Sequence, residues 1–158
     1  MELILQTDRL LLRPLAESDV EHCVELWTDP LVMKYIREPD PRDVVAREFP
    51  AKCQRAGGGC IGVWCVADLA TAEKLGTCIL LPLPIDQDGI DWSLLKDPDM
   101  PTGEIEVGYI LKQSAWGCGV ATETCSRMLK FAFEDTPLEE VVAVTDPENA
   151  ASQHVLTK

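Results

Sequence analysis

The stretch EIEVGYILKQSAWGCGVATE, residues 104–123, decides the fold of this chain. Its first half alternates apolar and polar or small positions, which predicts a strand with Glu104 and Glu106 on one face. Its second half has glycines at 117 and 119 and then enters a helical pattern. The strand's other face carries four side chains: Ile105, Val107, Tyr109 and Leu111. The stretch therefore predicts a strand, a glycine-bearing turn and a helix in immediate succession.

The sequence after this turn completes a crossover unit. The helix has one apolar stripe, formed by Ala121, Cys125, Met128, Leu129, Ala132 and Phe133. Residues 139–145 are rich in β-branched side chains and predict a further strand. A strand, helix and strand across residues 104–145 imply one right-handed parallel crossover. Pro147 then opens a last helix.

The segments before residue 104 predict a mostly antiparallel arrangement. Residues 7–14 indicate a strand, and Ser18 with Glu21 forms the capping box of a first helix. A second helix begins at Pro41, and Pro50 should kink or split it. Residues 60–69 and 75–83 are two buried strands that pair as a hairpin. The order β-α-α-β-β-β-α-β-α predicts the α/β (α+β) class, with a mixed, mostly antiparallel sheet, one parallel crossover and helices on both faces.

Length and charge limit the classes of protein that fit. The 158 residues suit one domain, residues 1–158, in which residues 84–103 form an acidic surface insertion with weak structure. A net charge of −13 argues against a nucleic acid or an anionic membrane as partner. The N-terminus has no signal pattern, and no apolar run reaches the roughly 18 residues of a membrane helix. We therefore expect a cytoplasmic protein.

The seven cysteines and two histidines do not predict a metal centre. No two cysteines form a C-x-x-C pair, and the histidines are far apart in the chain. Zinc and redox sites usually have closely spaced cysteines. We expect most of the cysteines to be small buried apolar residues and expect no metal site.

The glycine turn has two interpretations from its pattern alone. Glycines at 117 and 119 allow backbone N–H groups to point outward at a helix N-terminus, which favours a pyrophosphate. A plain tight turn needs the same glycines. The stretch is neither a Walker loop nor a dinucleotide fingerprint, since no Gly-Lys-Ser follows and position 122 is threonine.

Three motifs together resemble the GNAT superfamily, in particular the branch of ribosomal-protein-type N-terminal acetyltransferases. The first is TDRLLLRP, residues 7–14. The second is GYIL, residues 108–111, followed by WGCGVATE, residues 116–123. The third is NAASQHVLTK, residues 149–158. The motifs occur in the order and spacing of the family and cover nearly the whole chain outside residues 84–103.

The resemblance implies acetyl-CoA as co-substrate and a primary amine as acceptor, either a protein N-terminus or a small molecule. The backbone amides of a loop that begins at Trp116 would hold the pyrophosphate, and Thr122 would add a hydroxyl. That loop comprises Trp116, Gly117, Cys118, Gly119, Val120 and Ala121. Asn149 would bind the pantetheine arm, although it could instead cap the last helix. Cys118 has no histidine near it in sequence, which disfavours an acyl-cysteine mechanism.

Two residues are the candidates for proton transfer in a direct attack of the amine on the thioester. Glu106 is preferred to Glu104 as the base because it lies closer to the loop, and Ser152 would donate a proton to the departing sulfur. A solvated strand face is the alternative for either glutamate. Tyr109 lies on the opposite face from Glu106 and is predicted to be a core residue.

The resemblance also raises alternatives to an enzyme. Family members usually continue past the last helix into two further strands, whereas this sequence stops at Lys158. The chain is therefore either an acetyltransferase, a non-catalytic acyl-CoA-binding or interaction module, or a structural subunit. An uncovered edge at residues 139–145 predicts a homodimer, with a marginally stable monomer as the alternative.

Overall fold

The computed structural model describes residues 2–84, 89–96 and 98–158. Five strands and five α-helices lie in these ranges. The strands are β1 (Leu5–Gln6), β2 (Leu10–Pro14), β3 (Gly62–Asp68), β4 (Lys74–Pro82) and β5 (Ile105–Leu111). The helices are α1 (Val20–Thr28), α2 (Pro30–Met33), α3 (Arg42–Lys52), α4 (Val120–Asp135) and α5 (Ala150–Leu156).

The strands form one antiparallel sheet in the order β1-β2-β3-β4-β5. The predicted hairpin is confirmed, since Trp64 pairs with Cys78 in the middle of β3 and β4. β5 pairs with β4 along its own whole length, with Ile105 opposite Pro82 and Leu111 opposite Gly76. This places β5 and the glycine turn that follows it at one edge of the sheet.

The strand predicted over residues 139–145 does not form. The segment meets β5 at a single parallel bridge between Glu106 and Val142. At this bridge the Val107 N–H donates to the Val142 carbonyl (2.8 Å), and the Val142 N–H donates to the Ile105 carbonyl (2.9 Å). The flanking Val144 is exposed, so its side chain adds little to holding the segment against the sheet. A full right-handed parallel crossover remains a prediction.

Helices cover both faces of the sheet, as predicted. The Trp64 ring packs edge-on against Phe131 of α4, with 5.7 Å between the ring centroids. Cys65, the next residue of β3, points to the other face, where Cys23 of α1 lies close to it. Five of the seven free cysteines are buried, which confirms that most of them serve as small core residues.

The ends and faces of two helices differ from their sequence predictions. No capping box forms between Ser18 and Glu21: the Asp19 carboxylate accepts the Ala16 N–H (2.9 Å) at the start of a short 3-10 turn. On α4, Phe133 is 50% exposed, while Phe131 is fully buried. Cys125, Met128 and Ala132 are buried as predicted, and Val120, Thr124 and Phe131 complete the buried face of α4.

The segment at residues 84–103 lies partly outside the described residues. In its described part, Leu95 is buried, and Lys52 places its ammonium 4.2 Å from the centre of the Trp92 ring. The Gly57 and Gly58 N–H groups donate to carbonyls of residues 99 and 98, each at 3.0 Å. This part of the segment is therefore anchored to the loop that precedes β3.

Candidate active site

The glycine loop connects β5 to α4 in the way that the sequence predicts. A single 3-10 turn at Gln113–Ala115 follows β5, and the Trp116 indole N–H closes back on the Leu111 carbonyl (2.8 Å). Gly117 (φ 72°) and Gly119 (φ 80°) both adopt the left-handed conformation. Glycine reaches this conformation without steric cost, which explains its presence at both positions.

The loop presents a set of backbone donors at the N-terminus of α4. Within the described part of the chain, no protein group accepts a hydrogen bond from the backbone N–H groups of residues 117–122. The first such bond in α4 runs from the Glu123 N–H to the Gly119 carbonyl (3.0 Å). A 16-residue helix adds the positive end of its dipole at the same place. This arrangement fits a pyrophosphate, because several aligned amides require an acceptor and the dipole favours an anion.

The side chains of the loop differ in exposure. Trp116 is 48% exposed, Cys118 is exposed, and Val120, the first residue of α4, is buried. Ala121 and Thr122 are half-buried. The loop therefore offers its backbone, more than its side chains, to a ligand.

A cavity of about 350 Å³ opens beside the first turns of α4. The walls of this cavity come from α4, β5, α5 and the segment around Val142. The cavity therefore lies beside the bridge between Glu106 and Val142. Thr122 lies at the loop end and Val107 on the strand. The remaining lining is mostly apolar and includes Cys125, Leu129, Val141 and Val155. A mostly apolar cavity with Thr122, the residue that follows the glycine loop, in its wall suits the less polar part of a ligand whose anionic part lies at the loop.

The two glutamates of β5 have different surroundings. Glu104 lies just before the strand and is exposed, whereas Glu106 is half-buried. Burial raises the pKa of Glu106, and an interaction with the Val144 backbone amide offsets part of this rise. A carboxylate with a raised pKa accepts a proton more readily than one with an ordinary pKa, and the assignment of Glu106 as the base stays a prediction.

Asn149 and Ser152 lie at the start of α5. The Asn149 side-chain oxygen accepts the Ser152 N–H (3.1 Å), so it caps the helix in this structure. The Ser152 hydroxyl lies 3.2 Å from the Tyr109 hydroxyl of β5. Tyr109, predicted as a core residue, is only half-buried and carries a polar contact with a candidate site residue. Burial raises the pKa of Tyr109, which keeps its phenol protonated and able to donate.

Glu106 and Ser152 are not joined by any hydrogen bond within the described residues. Side chains alternate along β5, so Glu106 leaves the strand on the face opposite Val107 and Tyr109. Val107 lines the cavity beside α4, and Tyr109 contacts Ser152. The two predicted catalytic side chains therefore lie on different faces of this edge strand.

A contact between the first two motifs was missed by the sequence analysis. Arg9 donates from Nε and Nη2 to Glu123 (2.8 and 2.6 Å) and from Nη1 to the Cys118 carbonyl (3.1 Å). Arg9 lies in the first motif of the family resemblance and Glu123 in the second. Their membership of these motifs was the only sequence feature that pointed to them. A separation of 114 residues gave no local pattern by which to pair them.

Two further kinds of site were sought in the described residues. They contain no group of three or more histidine, cysteine, aspartate or glutamate side chains placed to bind a metal ion. None of their helices combines the length and apolar character required to cross a membrane.

The family comparison agrees with the geometry of the loop. The family model for the acetyltransferase (GNAT) domain matches residues 9–158. The chain therefore belongs to the GNAT acetyltransferase family.

Individual relatives and solved structures are similar to most of this chain. The chain is 30% identical to the uncharacterized protein YkkB of Bacillus subtilis (strain 168), over 98% of this chain and 82% of that protein. It is also 30% identical to the FsC-acetyl coenzyme A-N(2)-transacetylase of Aspergillus fumigatus, over 96% of this chain and 62% of that protein. The fold matches spermidine N-acetyltransferase from Vibrio cholerae, solved in complex with CoA and spermine, with a TM-score of 0.72 and 18% identity over 96% and 79% of the two chains.

Proposed function

We propose that this protein transfers an acetyl group from acetyl-CoA to a primary amine. The observation that carries the proposal is the row of backbone N–H groups at residues 117–122, which have no acceptor among the described residues and lie at the positive end of the α4 dipole. Family membership supports the same assignment. When bound, acetyl-CoA would supply the activated acetyl thioester.

Different residues bind different parts of acetyl-CoA. The backbone of Trp116, Gly117, Cys118, Gly119, Val120 and Ala121 holds the pyrophosphate, and the Thr122 hydroxyl adds a donor at the mouth of the cavity. The apolar walls around Val107 and Cys125 take the less polar arm of the ligand. Asn149, whose oxygen already caps α5, would offer only its amide nitrogen to that arm.

The chemistry requires two proton transfers. The amine nitrogen bonds to the thioester carbonyl carbon and the C–S bond breaks. Glu106, whose pKa is raised by burial, takes the proton that the amine loses, directly or through water. Ser152 donates a proton to the departing thiolate and is positioned by the Tyr109 hydroxyl 3.2 Å away.

The acceptor class remains broad within this proposal. A protein N-terminus follows from the likeness of the three motifs to the ribosomal-protein-type branch. A small amine is supported by the similar fold of a spermidine N-acetyltransferase. The strongly acidic composition suits a cationic acceptor of either kind. The cytoplasmic location remains a prediction.

A non-catalytic acyl-CoA-binding module is the second candidate. This candidate is favoured by the positions of Glu106 and Ser152. Glu106 leaves β5 on one face, whereas Ser152 of α5 contacts Tyr109 on the other face, so the proposed base and the proposed acid are separated. The loop and the cavity would serve such a module equally well.

Two measurements test these candidates. Isothermal titration calorimetry with acetyl-CoA should show binding for both, and absence of binding would contradict both. Release of free thiol on addition of amines, with spermidine and an N-terminal peptide as the two probes, should occur only if the protein is an enzyme. Binding without thiol release from any tested amine would favour the module.

A further inference from the structure

The guanidinium of Arg9 connects the glycine loop to helix α4. Two of its nitrogens donate to one carboxylate oxygen of Glu123, at 2.8 and 2.6 Å. Its third nitrogen donates to the Cys118 carbonyl, at 3.1 Å. Arg9 lies in the turn between β1 and β2, so a residue far away in sequence holds the loop from outside.

The turn that carries Arg9 is itself well ordered by Thr7. The Thr7 hydroxyl donates to the second carboxylate oxygen of Glu123. It also accepts the N–H groups of Arg9 (3.3 Å) and Leu10 (2.8 Å). Both carboxylate oxygens of Glu123 therefore accept hydrogen bonds. The contacts of Thr7 also hold the backbone of Arg9 in place next to the loop.

The contact with Cys118 determines the direction of one of the free amides. The Cys118 carbonyl and the Gly119 N–H belong to the same peptide plane and, in a trans peptide, point in opposite directions. Because Arg9 holds the carbonyl oxygen on its own side, the Gly119 N–H must point away from Arg9. Gly119 has no Cβ to limit its backbone dihedral angles, so the hydrogen bond to the Cys118 carbonyl is what restricts the orientation of this peptide plane.

The contact with Glu123 removes an unfavourable charge. Glu123 lies in the first turn of α4, close to the place where the loop would bind a pyrophosphate. An unpaired carboxylate there would repel a phosphate group. The cation of Arg9 at 2.6 Å neutralises it.

We propose that Arg9 is a positioning residue that orients the Gly119 amide and neutralises Glu123, and thereby strengthens the binding of acetyl-CoA. This inference rests on the function proposed above. Arg9 is half-exposed, and exposed ion pairs contribute little to folding stability. The effect on binding is therefore separable from an effect on the fold.

The test compares three variants by calorimetry with acetyl-CoA. Arg9→Gln should raise Kd roughly tenfold, in keeping with the loss of hydrogen bonds to a charged group. Arg9→Lys keeps the positive charge but loses the guanidinium group that donates to Glu123 and Cys118 together. Its Kd should therefore lie between those of Arg9→Gln and the wild type. Arg127→Gln is the matched control, because Arg127 is an arginine of α4 that contacts the same β1–β2 region but donates to the Gln6 carbonyl (3.1 Å) and not to the loop. Its Kd should equal that of the wild type.

A second readout reports loop order without any ligand. The ¹⁵N order parameter of Gly119 should fall below about 0.6 in Arg9→Gln, a value typical of flexible backbone, and stay at the wild-type value in Arg127→Gln. Equal order parameters and equal Kd values in all three variants would overturn the role of Arg9. Failure of the wild type to bind acetyl-CoA would instead overturn the proposed function, and this inference with it. Circular dichroism verifies the fold, and Arg9→Lys retains the test if Arg9→Gln does not fold.

Discussion

The hydroxyl of Tyr109 lies 3.2 Å from the hydroxyl of Ser152, and this contact joins the edge strand β5 to helix α5. The two residues lie 43 positions apart, and the sequence motifs assign them to different segments. Tyr109 is half-buried and packs against the hydrophobic core, while its hydroxyl contacts Ser152. The contact therefore gives a defined orientation to the hydroxyl that we propose as the proton donor.

Ser152→Ala should lower turnover by roughly a hundredfold, because a positioned proton donor contributes about 10²–10⁴-fold to a rate. The Kd for acetyl-CoA should change little, since a proton donor acts mainly in the transition state. Tyr109→Phe should lower turnover by a smaller factor, as it leaves Ser152 in place but removes its partner. Initial rates of thiol release and calorimetry measure the two quantities. Thr157→Ala removes a hydroxyl from the exposed end of α5 and should behave as the wild type. Full turnover in Ser152→Ala would exclude Ser152 as the donor.

The pH dependence should identify the base. Glu106 must be ionised to accept a proton, so kcat/KM should rise with pH through the Glu106 pKa, which burial has raised. Glu106→Gln should remove this acidic limb and lower the rate. Glu104→Gln, at an exposed position just outside β5, is the control and should retain the wild-type profile. An acidic limb that persists in Glu106→Gln would assign it to another group.

The same pKa shift predicts a stability effect of opposite sign from that of most ionised carboxylates. A raised pKa means that the folded protein prefers the protonated form, so stability is lost as pH rises through the folded pKa. Glu106→Gln should therefore not lower Tm at neutral pH. A lower Tm for this variant in scanning calorimetry would indicate that the Glu106 carboxylate is stabilising and would weaken its assignment as a buried base.

Substitution of a loop glycine should block acetyl-CoA. Gly117→Glu places a carboxylate beside the free amides and forces a non-glycine residue into the left-handed conformation (φ 72°). Binding measured by calorimetry should disappear. Gly58→Glu is a matched control, because Gly58 has a similar φ of 66°, open space around its Cβ position and no place in the site. The two variants should show similar losses of Tm but differ in binding. Equal binding by both would show that the loop does not hold the ligand.

The buried carboxylate of Asp19 should stabilise the fold. Asp19 is fully buried and accepts from Arg13 (2.7 Å on each oxygen), Lys74 (2.7 Å) and the Ala16 N–H (2.9 Å). Burial alone would raise its pKa, but the hydrogen bonds from Arg13, Lys74 and Ala16 lower it well below the usual range. Asp19→Asn should cost about 3 kcal/mol in the free energy of unfolding, since it leaves two cations without their anion.

Acid should weaken this contribution in a defined direction. Because the folded pKa of Asp19 is depressed, its stabilisation is present above the unfolded pKa, near 3.8, and is lost as pH falls through the folded pKa. Urea unfolding at several pH values measures the effect. Asp40→Asn, which breaks the exposed pair with Arg37 (2.7 Å), should cost about 1 kcal/mol at most. An equal loss in both variants would contradict a special role for Asp19.

The segment around Val142 should mediate self-association. It meets β5 at one bridge, and Val144 beside it is 63% exposed. Exposed apolar edges favour pairing with another chain, and two-fold dimers are the commonest oligomers. Light scattering at micromolar concentration should give the mass of a dimer, and Val144→Lys should shift it to a monomer. A monomeric wild type would contradict this prediction.

Local sequence determined the elements that depend on neighbouring residues. The hairpin of β3 and β4 follows from two continuous apolar runs, and the glycine loop follows from Gly117 and Gly119 between an alternating strand and a helical stripe. These predictions hold because backbone periodicity and left-handed glycine geometry are decided within a few residues.

The tertiary structure decided the relations between distant residues. The hydrogen bonds of Arg9 to Glu123 and to the Cys118 carbonyl are visible only in the folded structure. The same is true of the contact between Tyr109 and Ser152 and of the single bridge that residues 139–145 make instead of a strand. It also distinguished a half-buried Glu106 from an exposed Glu104, although both share one strand pattern. Burial, pKa and side-chain pairing depend on which elements pack together, and no local pattern contains that information.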